Sequence, residues 1–358
     1  MTIILFLLIL TALIFVHELG HFLAAKKSGI RVDEFAIGFP PKIFSWTRGE
    51  TKYSINLIPF GGFVKIHGEN PDEVALTGPD KERSFVNKSK PIQAFVLSAG
   101  ILMNIIFAYF LFAGSFMLGV PSVNGTSEGE ALYITAIAEA SPAEIAGLQT
   151  GDKILKIESG EKKLEGKISP DALVSFIAEA KDGVRVTLER GEEMKEIEVL
   201  PKEGVVAGRL AIGIQMAEVS FEKLSFFKAF GKAFTTTGVV LKETVVGIAK
   251  FFFSIFTFQA DLKGVSGPVG IASLVGDASR FGFGYLLSFA AVISINLAII
   301  NLVPFPALDG GRLLFVGLEA LLRRKISIKV QNILNFAGFA FLMILMVVIT
   351  FSDIKKLF

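Results

Sequence analysis

Residues 2–25, TIILFLLILTALIFVHELGHFLAA, combine a long apolar run with a charged cluster near its end. The fifteen residues before His17 are apolar apart from two threonines. A helix that crosses the hydrocarbon core of a bilayer needs about 20 mostly apolar residues, so the stretch predicts a membrane-spanning helix. It has no charged n-region and no small-residue cleavage site, and we expect it to be retained rather than removed as a signal peptide.

The composition of the whole chain is typical of a membrane protein. Of its 358 residues, 52% are hydrophobic and only 20% are charged, and the mean hydropathy is +0.59. A formal net charge of +2 argues against a nucleic-acid-binding protein, which usually carries a basic excess on one face. The chain has no cysteine, which excludes disulfides, thiol catalysis and cysteine-bound zinc. A metal ion would therefore need His, Asp or Glu ligands.

Three further stretches are apolar and long enough to span a membrane: 93–118, 285–303 and 332–351. The predicted fold class is a polytopic α-helical membrane protein with four transmembrane helices. A fifth apolar stretch, 221–258, is interrupted by charged residues and has its apolar residues largely on one helical face. We expect it to be amphipathic and to lie in the membrane interface or pack on the helix bundle.

The distribution of charge predicts which side of the membrane each segment occupies. Lysine and arginine collect in 26–91 and 304–331, which is typical of cytoplasmic segments. Residues 120–204 instead hold 17 acidic and 10 basic side chains, a balance that favours a translocated domain. With four spans, both termini are then expected to be extracytoplasmic.

Two segments between the spans have strand-like patterns. Residues 42–67 alternate apolar and polar side chains, with turns at Arg48-Gly49 and Gly61-Gly62. This predicts a β-meander on the cytoplasmic side, apolar enough to dip into the bilayer. Residues 121–204 predict a compact α+β module. Its strands are expected at 132–137, 153–158, 184–190 and 194–200, and its helices near 142–147 and 170–180.

His17, Glu18 and His21 form an HExxH motif inside the first predicted span. Residues i and i+4 share one face of a helix, so both imidazoles can bind one metal ion, with Glu18 beside them to activate water. Ionisable groups at membrane depth cost several kcal/mol unless they are paired or ligated, which favours a functional site. A catalytic zinc usually has three protein ligands, so one more is required.

The best candidate for the third ligand is Asp309, in the stretch NLVPFPALDGG at 301–311. Pro304 and Pro306 break the third span and leave unwound backbone at membrane depth, which is tolerated only where it lines a cavity within the protein. Asp309 would project into that cavity, and the two glycines that follow it would allow close approach of the backbone.

Together, these motifs resemble the signature of the site-2 protease family of intramembrane zinc metalloproteases, in its bacterial RseP-type branch. Three further stretches agree with it: 58–69 is similar to the family's membrane-associated β-segment, 98–104 to its second-helix motif, and 267–271 to the motif before its third helix. The resemblance covers essentially the whole chain. One departure is Ile101, where the family usually has proline.

The resemblance implies one Zn²⁺ per chain, held by three side chains: His17, His21 and Asp309. Glu18 would be the general base. Asn301 would contact the substrate backbone or the oxyanion, or else make a helix–helix hydrogen bond. Further substrate-binding residues are expected in the β-segment and the third-helix motif: Gly61, Gly62 and Pro304. The implied location is the bacterial inner (cytoplasmic) membrane, with the active site towards the cytoplasm.

The predicted ligands also constrain the topology. His17 and His21 lie in the half of the first span that approaches its positive, cytoplasmic flank, and Asp309 must reach the same depth. The span 285–303 must then run from outside to inside, which requires that 221–258 does not cross the membrane.

Residues 141–157, SPAEIAGLQTGDKILKI, resemble the characteristic run of bacterial PDZ domains. The resemblance implies a single PDZ domain, with a groove between a strand and a helix that accepts a peptide C-terminus by strand addition. Its carboxylate-binding loop is expected around Gly129–Leu132 and its groove helix at about 170–180. The alternative is a PDZ fold that binds no peptide and acts as a size filter.

Four domains are predicted: an N-terminal membrane domain (1–119), the PDZ domain (120–204), a membrane-associated amphipathic linker (205–284) and a C-terminal membrane domain (285–358). The expected function is that of an intramembrane zinc metalloendopeptidase that cuts single-span membrane proteins within or near the transmembrane segment. The implied substrates are site-1-trimmed anti-sigma factors or remnant signal peptides, and no nucleic acid is expected as a partner.

Two other functions are weaker. A membrane-anchored zinc protease that acts on soluble proteins would place HExxH outside the hydrophobic stretch. A non-catalytic PDZ scaffold would have lost Glu18 or a metal ligand, and all four residues are present.

Overall fold

The computed structural model describes residues 2–69, 77–122, 131–191, 193–206, 209–257 and 266–356. The chain divides into two compact units. The first comprises Met1–Ala113, Phe230–Gly276 and Phe289–Phe358, and the second comprises Gly114–Ala229 and Asp277–Ser288.

Four of the described helices are long and apolar enough to cross a membrane, which confirms the number of predicted spans. They are α1 (Thr2–Lys27), α2 (Lys90–Leu118), α7 (Phe283–Leu302) and α9 (Ile328–Lys356). Helix α1 has 26 residues and is therefore about 39 Å long. Its buried residues recur every three or four positions, as Leu13, His17 and Gly20 illustrate, so one face packs in the protein and the opposite face is left for lipid.

The β-segment consists of two long antiparallel strands, β1 (Val32–Arg48) and β2 (Thr51–Ile66). Both strands bend, and residues 34–37 pair with 52–55 on one side and with 62–65 on the other. Four short strands thus lie in the order 42–48, 51–56, 34–37, 62–66. The β-segment was predicted to begin at residue 42, but it begins ten residues earlier, at Val32. The earlier residues were missed because Gly38 and the following prolines interrupt the alternating pattern.

The second unit contains the α+β module. In its described part, seven strands form a sheet in the order β3-β11-β4-β5-β7-β8, with β6 added beside β5. The strands are β3 (Val120–Ser122), β4 (Ala131–Ile137), β5 (Lys153–Ser159), β6 (Lys162–Glu165), β7 (Val184–Arg190), β8 (Glu193–Val199) and β11 (Ile214–Glu222). Helices α3 (Pro142–Ala146) and α4 (Pro170–Glu179) complete it, so every predicted strand and helix of the module is confirmed. Its core is aliphatic, with Ile134, Ile157 and Leu188 fully buried.

The predicted end of this module at residue 204 is wrong. Strand β11 lies beyond that residue and pairs along Ile214–Val219 with β4, near the middle of the sheet. The short hairpin of β9 (Lys202–Val206) and β10 (Arg209–Ala211) leads into it. A strand at 214–222 was missed because its neighbour on the sheet, β4, is about 80 residues earlier in the chain.

The region predicted as an amphipathic linker is helical after that strand. It forms α5 (Phe226–Phe256) and α6 (Pro268–Arg280). Within the first unit, the Phe230 ring lies 5.8 Å from that of Tyr109, and Thr244 Oγ1 donates to Asn296 Oδ1 over 3.2 Å. Of the two predicted placements, these contacts with α2 and α7 favour packing on the helix bundle over a position in the membrane interface. The remaining helix is α8 (Asp309–Leu322).

Candidate metal centre

Helix α1 presents His17 and His21 on one buried face. The two imidazoles are 7% and 6% exposed, and their Nε2 atoms lie 3.2 Å apart. Nδ1 of His21 donates to the backbone oxygen of Val96 over 2.8 Å, which leaves Nε2 without a proton in the neutral ring. The helix therefore directs a nitrogen lone pair of His21 towards its other histidine.

Asp309 is the first residue of α8, directly after the segment 303–308, which has no regular structure. Two glycines bring the start of α8 against the end of α7. A Cβ on Gly310 would lie 2.3 Å from the backbone oxygens of Leu302 and Val303, and one on Gly311 would lie 2.2 Å from that of Phe305. The position at a helix N-terminus also favours a negative charge on Asp309.

The three predicted ligands converge. Oδ2 of Asp309 lies 3.1 Å from Nε2 of His17 and 3.1 Å from Nε2 of His21. A tetrahedral zinc ion with bonds of about 2.0–2.1 Å keeps its ligand atoms about 3.3 Å apart, close to these separations. The Nε2 lone pair of His21 and the carboxylate oxygen of Asp309 repel each other, since the proton of the neutral His21 ring is on Nδ1. A cation between the two atoms removes this repulsion. The residues present fit Zn²⁺. Among the described residues, no other group of three such side chains could hold a metal ion.

Glu18 lies beside these ligands and is not one of the converging groups. Its Oε2 accepts a hydrogen bond from the backbone N–H of Val64 over 3.0 Å. Val64 belongs to the outer strand of the β-segment, 62–66, so this strand runs directly past the carboxylate. Sequence reasoning did not anticipate this contact, since it joins residues 46 positions apart.

Arg312, one turn after Asp309, adds a cation to the neighbourhood of Glu18. It interacts electrostatically with Glu18 and forms an ion pair with Glu69. Arg312 and Glu69 also line a cavity of about 310 Å³, and its other polar lining residues include Gln93, Glu319, Gln331 and Asn335. This ion pair therefore lies at the wall of a cavity whose lining is partly polar and partly apolar.

The other predicted site residues of the first unit have different environments. Gly61 and Gly62 have structural reasons to be glycine: a Cβ on Gly61 would lie 2.8 Å from Ile14 Cδ1, and one on Gly62 would lie 2.4 Å from the backbone oxygen of Ala36. Asn301 is half-buried, and its side chain makes no hydrogen bond to another described residue. Pro304 is exposed in the unwound segment.

The predicted peptide-binding residues of the module are not supported as a groove. Leu132 is 2% exposed in the core, and its strand is flanked by β11 and by β5, so neither edge can accept a peptide there. Gly129 lies outside the described residues.

Residues 98–104 were noted only for their similarity to a family motif, and no site role was predicted for Gly100 or Asn104, yet α2 lies against the histidines. A Cβ on Gly100 would lie 2.3 Å from His21 Nε2, and Asn104 lies beside His17. The spacing of four between Gly100 and Asn104, the same as that between the two histidines, was the available signal.

The model of peptidase family M50 matches residues 5–345. A candidate zinc metalloprotease of Clostridium perfringens is 36% identical over 99% of this chain and 98% of its own length. The zinc metalloprotease RasP of Oceanobacillus iheyensis is 31% identical over 100% of this chain and 99% of its own length. The regulator of sigma-W protease RasP of Bacillus subtilis is 32% identical, again over 100% of this chain and 99% of its own length. The chain therefore belongs to peptidase family M50 and is a zinc metalloprotease.

Proposed function

We propose that this protein is an intramembrane endopeptidase that cuts single-span membrane proteins within or near the transmembrane segment. One observation carries the proposal: the three converging ligand atoms of His17, His21 and Asp309 belong to a helix long and apolar enough to span a membrane and to the turn that follows another such helix. A protease for soluble substrates has no need to place its ligands there, because ionisable groups at membrane depth are costly.

The proposed roles of the side chains follow from their positions. His17, His21 and Asp309 would hold the zinc ion. When bound, zinc lowers the pKa of water towards neutrality and polarises a carbonyl group. Glu18 accepts a proton from the attacking water and returns it to the leaving amine, and its hydrogen bond from Val64 keeps the carboxylate at a fixed position.

A helical substrate must unwind before its carbonyl groups can react. Among the described residues, the strand 62–66 pairs with 34–37 along one edge and with no strand along the other edge, which faces Glu18. Such an edge can hold an extended peptide by main-chain hydrogen bonds. Asn301, at the end of α7, and the unwound residues around Pro304 would contact the same peptide. They belong to the C-terminal part of the sequence, whereas the strand 62–66 belongs to the N-terminal part.

We further propose that the module of the second unit is a PDZ domain on the extracytoplasmic side, as its acidic balance favours. If it has a peptide groove, the groove lies beside Ile214–Val219, not beside Leu132. Among the described residues, these pair with β4 along one edge and with no strand along the other, and helix α4 packs against β11.

The catalytic proposal is tested with Glu18→Gln, since glutamine keeps the size of the side chain but cannot accept the proton. Wild type and variant are reconstituted in membranes with a tagged single-span reporter and with a soluble unfolded protein, and bound zinc is measured in parallel. We expect wild type to cut the reporter, and Glu18→Gln to retain zinc and lose cleavage by about 10²-fold or more. Glu243→Gln, an exposed carboxylate on α5, is the matched control and should cut normally.

Equal cleavage by wild type and Glu18→Gln would show that Glu18 is not the base. Cleavage of the soluble protein without cleavage of the reporter would contradict the intramembrane assignment.

The two roles of the module make different predictions. A size filter predicts that cleavage falls as the ectodomain of the reporter is lengthened, whatever the new terminus. A peptide groove predicts that a peptide with a free C-terminal carboxylate binds the full-length protein better than its amide. Substitution of Ala217→Pro, in the middle of the open edge, should remove that difference.

A further inference from the structure

Helix α2 runs beside the two histidines with three residues spaced four apart. Val96 offers its backbone oxygen to Nδ1 of His21 at 2.8 Å. Gly100 has no side chain, and a Cβ at this position would lie 2.3 Å from His21 Nε2 and 2.8 Å from His17 Cε1. Asn104 places its carboxamide next to Nδ1 of His17, with Nδ2 at 3.4 Å. Val96 and Asn104 therefore contact the Nδ1 side of each ring, which points away from Asp309, and Gly100 leaves room for the two rings between them.

Asn104 is an unusual residue for a helix in an apolar unit. It is 0% exposed, and its Oδ1 atom is buried without a hydrogen-bond partner in the described part of the chain. A buried polar atom without a partner costs about 1–3 kcal/mol. Its backbone oxygen, by contrast, has a partner, because Oγ of Ser294 on α7 donates to it over 2.8 Å. Simple packing does not explain a carboxamide at this position, since an apolar side chain of the same shape would avoid the cost.

A histidine that binds a metal through Nε2 carries its proton on Nδ1, and it donates that proton to a neighbouring acceptor. Val96 is that acceptor for His21. The group beside Nδ1 of His17 is Asn104. With Nδ2 towards the ring, His17 would have to carry its proton on Nε2, where the metal binds. A rotation of the carboxamide by 180° exchanges its two terminal atoms and gives Oδ1 the N–H of His17 as a partner.

We propose that Asn104 is a positioning residue for the metal ligand His17: its Oδ1 accepts the Nδ1 proton, fixes the ring orientation and leaves the Nε2 lone pair for zinc. This inference rests on the proposed ligand set of His17, His21 and Asp309. It gives α2 the same role for both histidines, through a backbone oxygen for His21 and through a side chain for His17.

The test compares two variants of similar size in the full-length protein. Asn104→Asp keeps an oxygen acceptor at this position, whereas Asn104→Leu removes it. The zinc affinity of each is measured by competition with a chromophoric chelator, and the visible spectrum is recorded with Co²⁺ in place of zinc. Loss of a partner of this kind typically costs 10–100-fold in metal affinity. We expect Asn104→Leu to lose about 10–100-fold and to change the cobalt spectrum, while Asn104→Asp stays close to wild type.

Ser294→Ala is the matched control, because it removes the α2–α7 hydrogen bond on the backbone of Asn104 without touching His17. Its zinc affinity and cobalt spectrum should equal those of wild type. The proposal is overturned if Asn104→Leu binds zinc as wild type does, if Asn104→Asp is as impaired as Asn104→Leu, or if Ser294→Ala is impaired to the same extent. A wild-type protein that cuts its reporter but binds no zinc would instead contradict the ligand set itself.

Discussion

The metal site has two halves that are built in opposite ways. His17 and His21 stand on α1, a regular helix whose periodicity alone puts both side chains on one face. Asp309 follows a segment without regular structure, in which Ala307 has a φ of +77°. Helical periodicity, a local rule, is therefore enough to form the histidine half. The aspartate half instead requires contacts with residues far away in the sequence.

Several of those contacts come from α9. The backbone N–H of Ala307 donates to Asn335 Oδ1 over 3.3 Å. A Cβ on Gly338 would lie 2.5 Å from the backbone oxygen of Pro306, so that glycine lets the unwound segment approach the helix. The ring of Phe305 packs 5.7 Å from that of Phe341. The last helix thus supports the segment that carries Asp309.

The largest expected effect is the removal of one ligand from either half. We expect His21→Ala and Asp309→Ala each to abolish zinc binding and to reduce cleavage to background, because two protein ligands do not replace three at a catalytic zinc. Bound zinc in the purified protein and cleavage of the reporter are the measurements. Asp171→Ala, an exposed carboxylate of the module, should change neither. Wild-type zinc content in Asp309→Ala would show that the aspartate half is not part of the metal site.

A smaller effect is expected from filling the close contacts of each half. Gly310→Ala places a Cβ against the backbone of Leu302 and Val303, and Gly20→Ala places one 2.4 Å from the backbone oxygen of Ala99. Backbone atoms cannot move aside as a flexible side chain can, so each substitution should lower the free energy of unfolding by about 1–3 kcal/mol. We expect zinc affinity to fall about tenfold or more in both, as measured by chelator competition.

Gly317 provides the control for these variants. It lies on α8, two turns after Gly310, and a Cβ there would meet nothing within 4 Å. Gly317→Ala should leave zinc affinity unchanged and stabilise the protein by up to about 1 kcal/mol through helix propensity. A loss of zinc affinity in Gly317→Ala equal to that in Gly310→Ala would show that the close contact is not the cause.

The smallest effects concern the backbone strain in the aspartate half. A non-glycine residue at positive φ costs of the order of 1–3 kcal/mol. Ala307→Gly should therefore raise the thermal unfolding temperature or leave it unchanged, with zinc affinity retained. Asn335→Ala removes the acceptor of the Ala307 N–H and should weaken zinc binding by a few-fold. If Ala307→Gly weakened zinc binding more than Asn335→Ala, the strain itself would be required to hold Asp309.

The sequence was sufficient to predict the features that depend on local pattern. Hydrophobic stretches of sufficient length gave the four spans, and alternation and turn residues gave the strands and helices of the module as far as residue 204. It failed where strands pair at a distance. Neither β11 nor the start of the β-segment at Val32 has a local pattern as clear as its partner's, and the groove was consequently expected beside Leu132, which the structure buries between two strands.

By itself, the sequence determined that this is a membrane protein with an HExxH motif inside a span and an aspartate after a broken one, because residue order sets both hydropathy and helical periodicity. Only the tertiary structure decided that Asp309 reaches the two histidines, that Val64 holds Glu18, and that Asn104 lies against His17. Each of these joins residues from separate elements, and their distance in space depends on packing between helices and strands. No local periodicity encodes it.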